Sequence, residues 1–157
     1  MIRSPLISVL MPVYNSEVFL EQAILSILNQ TYKNFEFIII YDESSDNSLS
    51  IIKKFKELDK RIILKYGDNE KLIGALNKGI KASKGKYIAR MDADDISLPN
   101  RFEDQIKFIE KYELDICGCQ CFYVNEFNRV IKIVKFPIKH EMCFLSLALM
   151  VPFAHPS

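Results

Sequence analysis

Leu6-Ile7-Ser8-Val9-Leu10-Met11-Pro12-Val13 runs almost unbroken in apolar residues. A strand wetted on one face alternates apolar and polar positions. A continuous run marks a strand covered on both faces, as parallel sheets require. Working outward, Asn15 or Ser16 can cap an element in which Phe19, Leu20, Ala23, Ile24, Ile27 and Leu28 recur at helical spacing, ending at Asn29. Phe35–Ile40 is a second apolar strand. The turn and cap cluster Ser44-Ser45-Asp46-Asn47-Ser48 leads into a helix with Ile51, Ile52, Phe55 and Leu58 inward. Arg61–Tyr66 predicts a third strand. Leu72–Ala82 predicts a helix with Leu72, Leu76 and Ile80 on its inward stripe, stopped at Lys84-Gly85. Tyr87–Met91 predicts a fourth strand, and Pro99 opens a helix carrying Phe102, Ile106 and Ile109. Beyond it, Leu114–Val124 and Arg129–Phe136 predict two strands about the turn Asn125–Asn128, and Met142–Met150 a short apolar helix.

Strand–helix alternation of this kind predicts an α/β fold: a mostly parallel sheet with helices on both faces, plus a small antiparallel hairpin near the C-terminal end. No repeat, low-complexity tract or linker interrupts it, so one domain is expected over 1–157. The length of 157 residues suits a single core that buries about 68–70% of the unfolded surface. Hydrophobic residues at 49% and charged residues at 26% exclude a disordered chain. The formal net charge of +1 supplies no field for a polyanion, so no nucleic-acid partner is expected. The apolar runs Leu6–Val13 and Phe144–Pro152 are about half the roughly 20 residues a membrane helix needs. Pro5 breaks the N-terminus too early for a secretory signal, so a cytoplasmic location is expected. Cys117, Cys119 and Cys121 alternate at period 2, which predicts one face of a strand and a packing role; the paired knuckles of structural zinc are absent.

In a parallel sheet, the residues just past the strands' carboxyl ends share one edge, where ligands bind. Here those ends are Pro12-Val13-Tyr14-Asn15, Tyr41-Asp42-Glu43-Ser44-Ser45-Asp46 and Asp92-Ala93-Asp94-Asp95. Three carboxylates within four residues repel one another, which solvent exposure or a hard cation relieves. Oxygen-only ligands suit Mg²⁺ or Mn²⁺, with Asp94 and Asp92 as candidate metal ligands. A competing reading has Asp95 or Ser97 merely capping the following helix. Glycine-rich dinucleotide and P-loop signatures are absent, as is G-x-S-x-G, and what stays is a cation–diphosphate site.

The order and spacing of these segments resemble the family 2 glycosyltransferases of the GT-A fold. The likeness runs through Val9–Asn15, Ile27-Leu28-Asn29-Gln30-Thr31-Tyr32, Phe35–Asp46, Ala75–Ile80, Gly85–Asp95 and Leu98-Pro99-Asn100-Arg101-Phe102. It spans about residues 6–110, and His155-Pro156-Ser157 is similar to a segment from the middle of longer members. The resemblance implies inverting transfer of a sugar from a nucleotide diphosphate donor, a UDP-sugar, to an acceptor hydroxyl in surface polysaccharide synthesis. It implies that Pro12, Val13, Tyr14 and Asn15 line the nucleotide, that Asp42 bonds the uracil-type edge, and that Asp92 and Ala93 lie near the ribose. Asp94 would ligate a divalent cation, Mn²⁺ or Mg²⁺, that bridges the donor phosphates. The implied partners are the nucleotide-sugar donor and a glycan or lipid-linked acceptor, with peripheral membrane association and a homodimer as open alternatives.

Two departures stand out. Members carry Asp-Asp-Gly-Ser where this chain has Tyr41-Asp42-Glu43-Ser44. Glu43 must therefore find a backbone conformation that glycine visits more easily, and it adds charge near a diphosphate. No acid in 111–157, Asp115 and Glu141 included, matches the family's acceptor-activating base, so the catalytic base is not assigned within this chain and a binding fragment without transfer is the alternative reading. Lys71 and Lys78 are expected to be solvated, and His155 to be a partly buried structural residue. The apolar stretch Phe144–Phe153 is expected to be covered.

Overall fold

The computed structural model describes residues 5–68, 71–148 and 152–154. The chain packs as two compact units, one running through Asp104 and one from Gln105 onward. The first holds β1 (Ile7–Val13), α1 (Glu17–Leu28), β2 (Phe35–Tyr41), α2 (Ser48–Leu58), β3 (Ile62–Tyr66), α3 (Lys71–Ala82) and β4 (Tyr87–Arg90). It ends in the first turn of α4 (Arg101–Tyr112). Its four strands form an all-parallel sheet in the order β3-β2-β1-β4.

The apolar runs form the central strands, as predicted. Every residue of β2 is buried, and β1 is buried at all positions but Pro12. One face of the sheet packs Leu10, Ile38 and Ile40 against Ala75 of α3. The alternate residues Val9, Met11, Phe37 and Ile39 are equally inaccessible, so the opposite face is covered too. On that side Phe35 meets Phe102 edge-on at 5.9 Å, and α1 buries Leu20, Ala23, Ile24 and Ile27. At the amino end of the sheet the buried Glu36 carboxylate accepts hydrogen bonds from Ser8 Oγ and Lys84 N–H, both at 2.6 Å. Ser8 Oγ in turn accepts from Gly85 N–H at 2.8 Å.

Two helix faces differ from expectation. In α3 the inward residues are Ala75 and Gly79, while Leu72 and Ile80 are exposed. The small stripe wins because it lets the helix lie close on the sheet: a Cβ at Gly79 would stand 2.9 Å from Ile40 Cδ1 and 3.2 Å from Leu10 Cδ2. In α2, Ile52 and Phe55 are buried but Leu58, at the last turn, is exposed.

The second unit continues α4 and adds a two-stranded antiparallel sheet, β5 (Cys121–Val124) and β6 (Val130–Val134), then α5 (His140–Ser146). The hairpin is as predicted, but its first strand starts at Cys121 rather than near Leu114. Cys117 and Cys119 therefore lie outside any strand, and none of the four cysteines, each only partly buried, forms a disulfide. The expected single buried cysteine face does not form. Asn125 builds the turn by accepting the N–H groups of Phe127 and Arg129, both at 3.0 Å. Phe144, Leu145 and Leu147 are exposed where cover was expected, and α5 buries none of its residues. Leu149, Met150, Val151 and His155 lie outside the described residues.

Gly79→Val should destabilise the fold by about 1–3 kcal/mol, since the branched side chain must displace Ile40 or Leu10 from a filled core. Chemical denaturation measures it; an unchanged midpoint would mean that α3 has room to lift.

Candidate active site at the carboxyl edge of the sheet

The chain passes from β1 to β2 on one side and returns to place β4 on the other. The strand order therefore reverses between β1 and β4, and a ligand crevice belongs at the carboxyl ends of those two strands. Three loops meet this edge. They follow β1, β2 and β4, and they carry the residues that the sequence singles out.

The first two loops are clasped together. Asn15 takes a positive φ of 45°, which asparagine tolerates better than most residues. Its Oδ1 accepts from Ser45 N–H at 2.9 Å, and its own N–H donates to Ser44 Oγ at 3.1 Å. Ser16 N–H donates to Ser48 Oγ at 3.0 Å, and Glu17 N–H to Asp46 Oδ2 at 2.8 Å. Burial alone would push the Asp46 carboxyl up, but the bonds from Glu17 and Ser48 outweigh it and hold the group below its ordinary value. Asn15 thus spends its side chain on joining loops, which leaves Tyr14, 65% exposed, as the open aromatic at this strand end.

Asp42 is buried, and among the described residues its Oδ1 has no hydrogen-bond partner. Its backbone N–H continues the sheet by donating to Val13 O at 2.9 Å. The carboxylate occupies space that only a glycine at 67 leaves open: a Cβ there would stand 1.6 Å from Asp42 Oδ1. A buried acceptor without a donor costs about 1–3 kcal/mol, more when charged, so this oxygen is a ready site for a ligand N–H. Tyr41, in place of the family's acid, is buried; its hydroxyl accepts Ser44 N–H at 3.0 Å and its ring meets Tyr66 edge-on at 6.1 Å. Glu43 is exposed and is not among the residues with positive φ, so the expected demand for a glycine-like conformation is not met.

The third loop carries the acid cluster. Asp92 is held by Arg90, whose Nε and Nη2 reach its two carboxylate oxygens at 3.1 and 3.3 Å. Arg101 donates from Nη2 to Arg90 O at 2.9 Å, which ties the head of α4 to the strand end. Ala93 is buried, while Asp94 is exposed and makes no hydrogen bond or ion pair among the described residues. The Asp95 carboxyl is pushed up, first by burial and then by Asp94 and Asp92, with Arg101 and Arg90 pulling the other way. At the start of α4, Asp104 N–H donates to Asn100 O, and Ser97 Oγ accepts from Gln30 Nε2. Among the described residues no three His, Cys, Asp or Glu side chains converge into a metal cage. The donor set still fits Mg²⁺ or Mn²⁺, which commonly take one or two protein carboxylates and complete their shell with water and phosphate oxygens. Asp94 is the carboxylate at liberty to serve, whereas Asp92 would first have to share Arg90. Lys78, expected to be solvated, bridges both Asp68 carboxylate oxygens at 2.8 Å.

Sequence reasoning passed over four residues that shape this edge: Gly67, Arg90, Arg101 and Gln30. Arg101 and Gln30 sit inside the quoted segments Leu98–Phe102 and Ile27–Tyr32, and only their positions there hinted at a role.

A parallel sheet whose strand-end loops carry this pattern of acids is the GT-A architecture. Residues 8–157 match the family described as Glycosyl transferase family 2, and the chain belongs to it. It is 40% identical over 143 residues to an uncharacterized glycosyltransferase of Methanocaldococcus jannaschii, covering 87% of this chain and 48% of that protein. It is 36% identical over 153 residues to the O-antigen biosynthesis glycosyltransferase WbnJ of Escherichia coli, covering 97% of this chain and 60% of WbnJ. The chain thus spans roughly half the length of these relatives. Among solved structures, S. aureus TarS superposes with a TM-score of 0.60 at 25% identity, over 76% of this chain and 23% of that one. The mannosyltransferase PcManGT of Pyrobaculum calidifontis, held in complex with GDP-Man and Mn²⁺, superposes with a TM-score of 0.62 at 21% identity, over 79% of this chain and 37% of that one. These two likenesses establish the fold.

Because the Asp95 carboxyl is raised in the folded chain, the native state binds its proton more tightly than the unfolded state does. Stability is therefore lost as pH rises from the group's ordinary value through its folded value. Asp95→Asn should stabilise the protein at neutral pH, and the gain should shrink as pH falls through that window and vanish below about pH 3.8, the ordinary aspartate value. Melting temperatures of both proteins across pH 3–8 decide it; a gain that grows on acidification would reverse the assignment.

Proposed function

We propose that this chain is the donor-binding portion of an inverting, metal-assisted glycosyltransferase that moves a sugar from a UDP-sugar to an acceptor hydroxyl in surface polysaccharide synthesis. The observation that carries the reading is the buried, unpartnered Asp42 Oδ1 at a strand end, on the same sheet edge as the unpaired Asp94. Support also comes from the relatives: WbnJ is named for O-antigen synthesis, and TarS is held with UDP-GlcNAc in one of its structures.

In this reading Val13 and Pro12 wall the base and Tyr14 offers it an aromatic surface. Asp42 accepts the imide N–H of a uracil through the oxygen that has no internal donor, a charge-assisted bond that also distinguishes bases lacking that N–H. Asp92, steadied by Arg90, lies toward the ribose with Ala93. Asp94 and, by sharing, Asp92 would hold the divalent cation, which when bound would supply Lewis-acid stabilisation of charge on the departing diphosphate. The chain's own contribution is orientation: two clasped loops fix the base end, and a third presents the carboxylates. The base that activates the acceptor is not assigned to any residue here.

Calorimetric titration of UDP with and without Mn²⁺ tests the reading directly. Asp94→Ala should abolish the Mn²⁺-dependent part of UDP binding with the fold intact; unchanged affinity for UDP–Mn²⁺ would remove the metal assignment. Asp42→Ala should weaken UDP by about 1.5–3 kcal/mol, the worth of a hydrogen bond to a charged group, and leave inorganic diphosphate unaffected. Equal losses for UDP and diphosphate would end the base-recognition role.

A further inference from the structure

Gln30 follows Asn29, the C-cap of α1, and is completely buried. Both ends of its amide are used. Nε2 donates to Leu98 O at 2.7 Å and to Ser97 Oγ at 3.2 Å, with a further contact to Ser26 O at 3.1 Å. Oε1 accepts Phe102 N–H, the second residue of α4, at 3.1 Å. Flanking bonds reinforce it: Ser97 N–H donates to Ser26 Oγ at 3.1 Å and Thr31 N–H to Pro99 O at 2.9 Å. One helix end thus grips the entire far limb of the loop that begins with Asp92 and ends at α4.

That limb has little else to hold it. Ile96 and Leu98 are 44% and 61% exposed, so apolar burial does not anchor the segment. Its near limb is tied by Met91 N–H to Leu10 O at 2.9 Å, by Arg90 to Asp92, by the turn bond from Asp95 N–H to Asp92 O at 3.3 Å, and by burial of Ala93. Asp94 sits between these two moorings with no bond of its own. Where it stands is consequently set by the limbs on either side.

We propose that Gln30 is a positioning residue for the carboxylate loop, fixing Asp94 where a cation bound to a nucleoside diphosphate can reach it. The inference rests on the reading of Asp94 as a cation ligand. It adds a residue that touches neither ligand nor metal and acts through the backbone of residues 97–102. Removing an outer partner of this kind typically lowers metal affinity about 10–100-fold while the site's direct ligands stay in place.

The test uses Gln30→Met, which keeps length and volume but leaves Leu98 O and Phe102 N–H without partners, and Ser97→Ala as a milder variant. Titrations measure UDP in the presence of Mn²⁺, and uridine in its absence. The expected result for Gln30→Met is a loss of about 10–100-fold for UDP–Mn²⁺ with unchanged uridine affinity, and a smaller loss in the same direction for Ser97→Ala. Parallel losses for uridine and UDP–Mn²⁺, or no loss for either in a folded variant, overturn the proposal. Should Gln30→Met not fold, Ser97→Ala decides by the same criterion. If the unmodified chain takes up no UDP–Mn²⁺, the functional reading fails on its own account, and amide exchange then decides the positioning role. Faster exchange confined to residues 93–98 in either variant supports it; unchanged protection there overturns it.

Discussion

Burial of β1 and β2 on both faces is the constraint from which the site follows. A strand covered above and below has no place for unpaired polar side chains along its length, so chemistry is pushed to where the strand stops. The exception inside the sheet, Glu36, is admissible because Ser8 and Lys84 supply donors to it. At the carboxyl edge the same logic leaves Asp42 buried with one oxygen lacking a donor. A satisfied Glu36 reads as structure and an unsatisfied Asp42 as a binding group, although both are buried carboxylates on the same strand or at its end.

The acid cluster shows a second asymmetry. Of its three carboxylates, Asp92 is paired with Arg90, Asp95 is raised first by burial and then by its acidic neighbours, and Asp94 is left open. Arg101 bonds the carbonyl of Arg90, which places one cation's backbone under the hold of another. Charge at this edge is therefore partly compensated from within, and the uncompensated remainder is concentrated on one exposed side chain. Such a residue gains from a hard cation without first losing an internal partner.

Much of this was legible in the sequence, and what was not has specific causes. Continuous apolar runs located the parallel strands because burial on both faces leaves no other composition. The inward face of α3 does not follow from side-chain size: Leu72 and Ile80 are larger, yet close approach to Leu10 and Ile40 favours Ala75 and Gly79. The period-2 cysteines suggested a strand that begins only at Cys121, since alternation is also compatible with an irregular segment. Gln30 left no trace in periodicity or charge, because a neutral amide acquires its role only when residues 67 to 72 positions away fold against it.

The substituted loop after β2 carries the last step. Exchanging the family's Asp-Asp-Gly-Ser for Tyr41-Asp42-Glu43-Ser44 removes one acid and adds another, so the number of carboxylates in the tetrad stays at two. Their placement changes. The position that enters the sheet is now the buried phenol of Tyr41, whose hydroxyl still receives Ser44 N–H and so keeps the turn closed without a buried charge. The added charge of Glu43 stands on the exposed side of the turn, where water screens it and where its backbone has no need of positive φ. Asp42 remains the one buried carboxylate of this tetrad. The departure from the family pattern therefore keeps the buried carboxylate at the end of β2 in place and moves the tetrad's other charge to the exposed side of the turn.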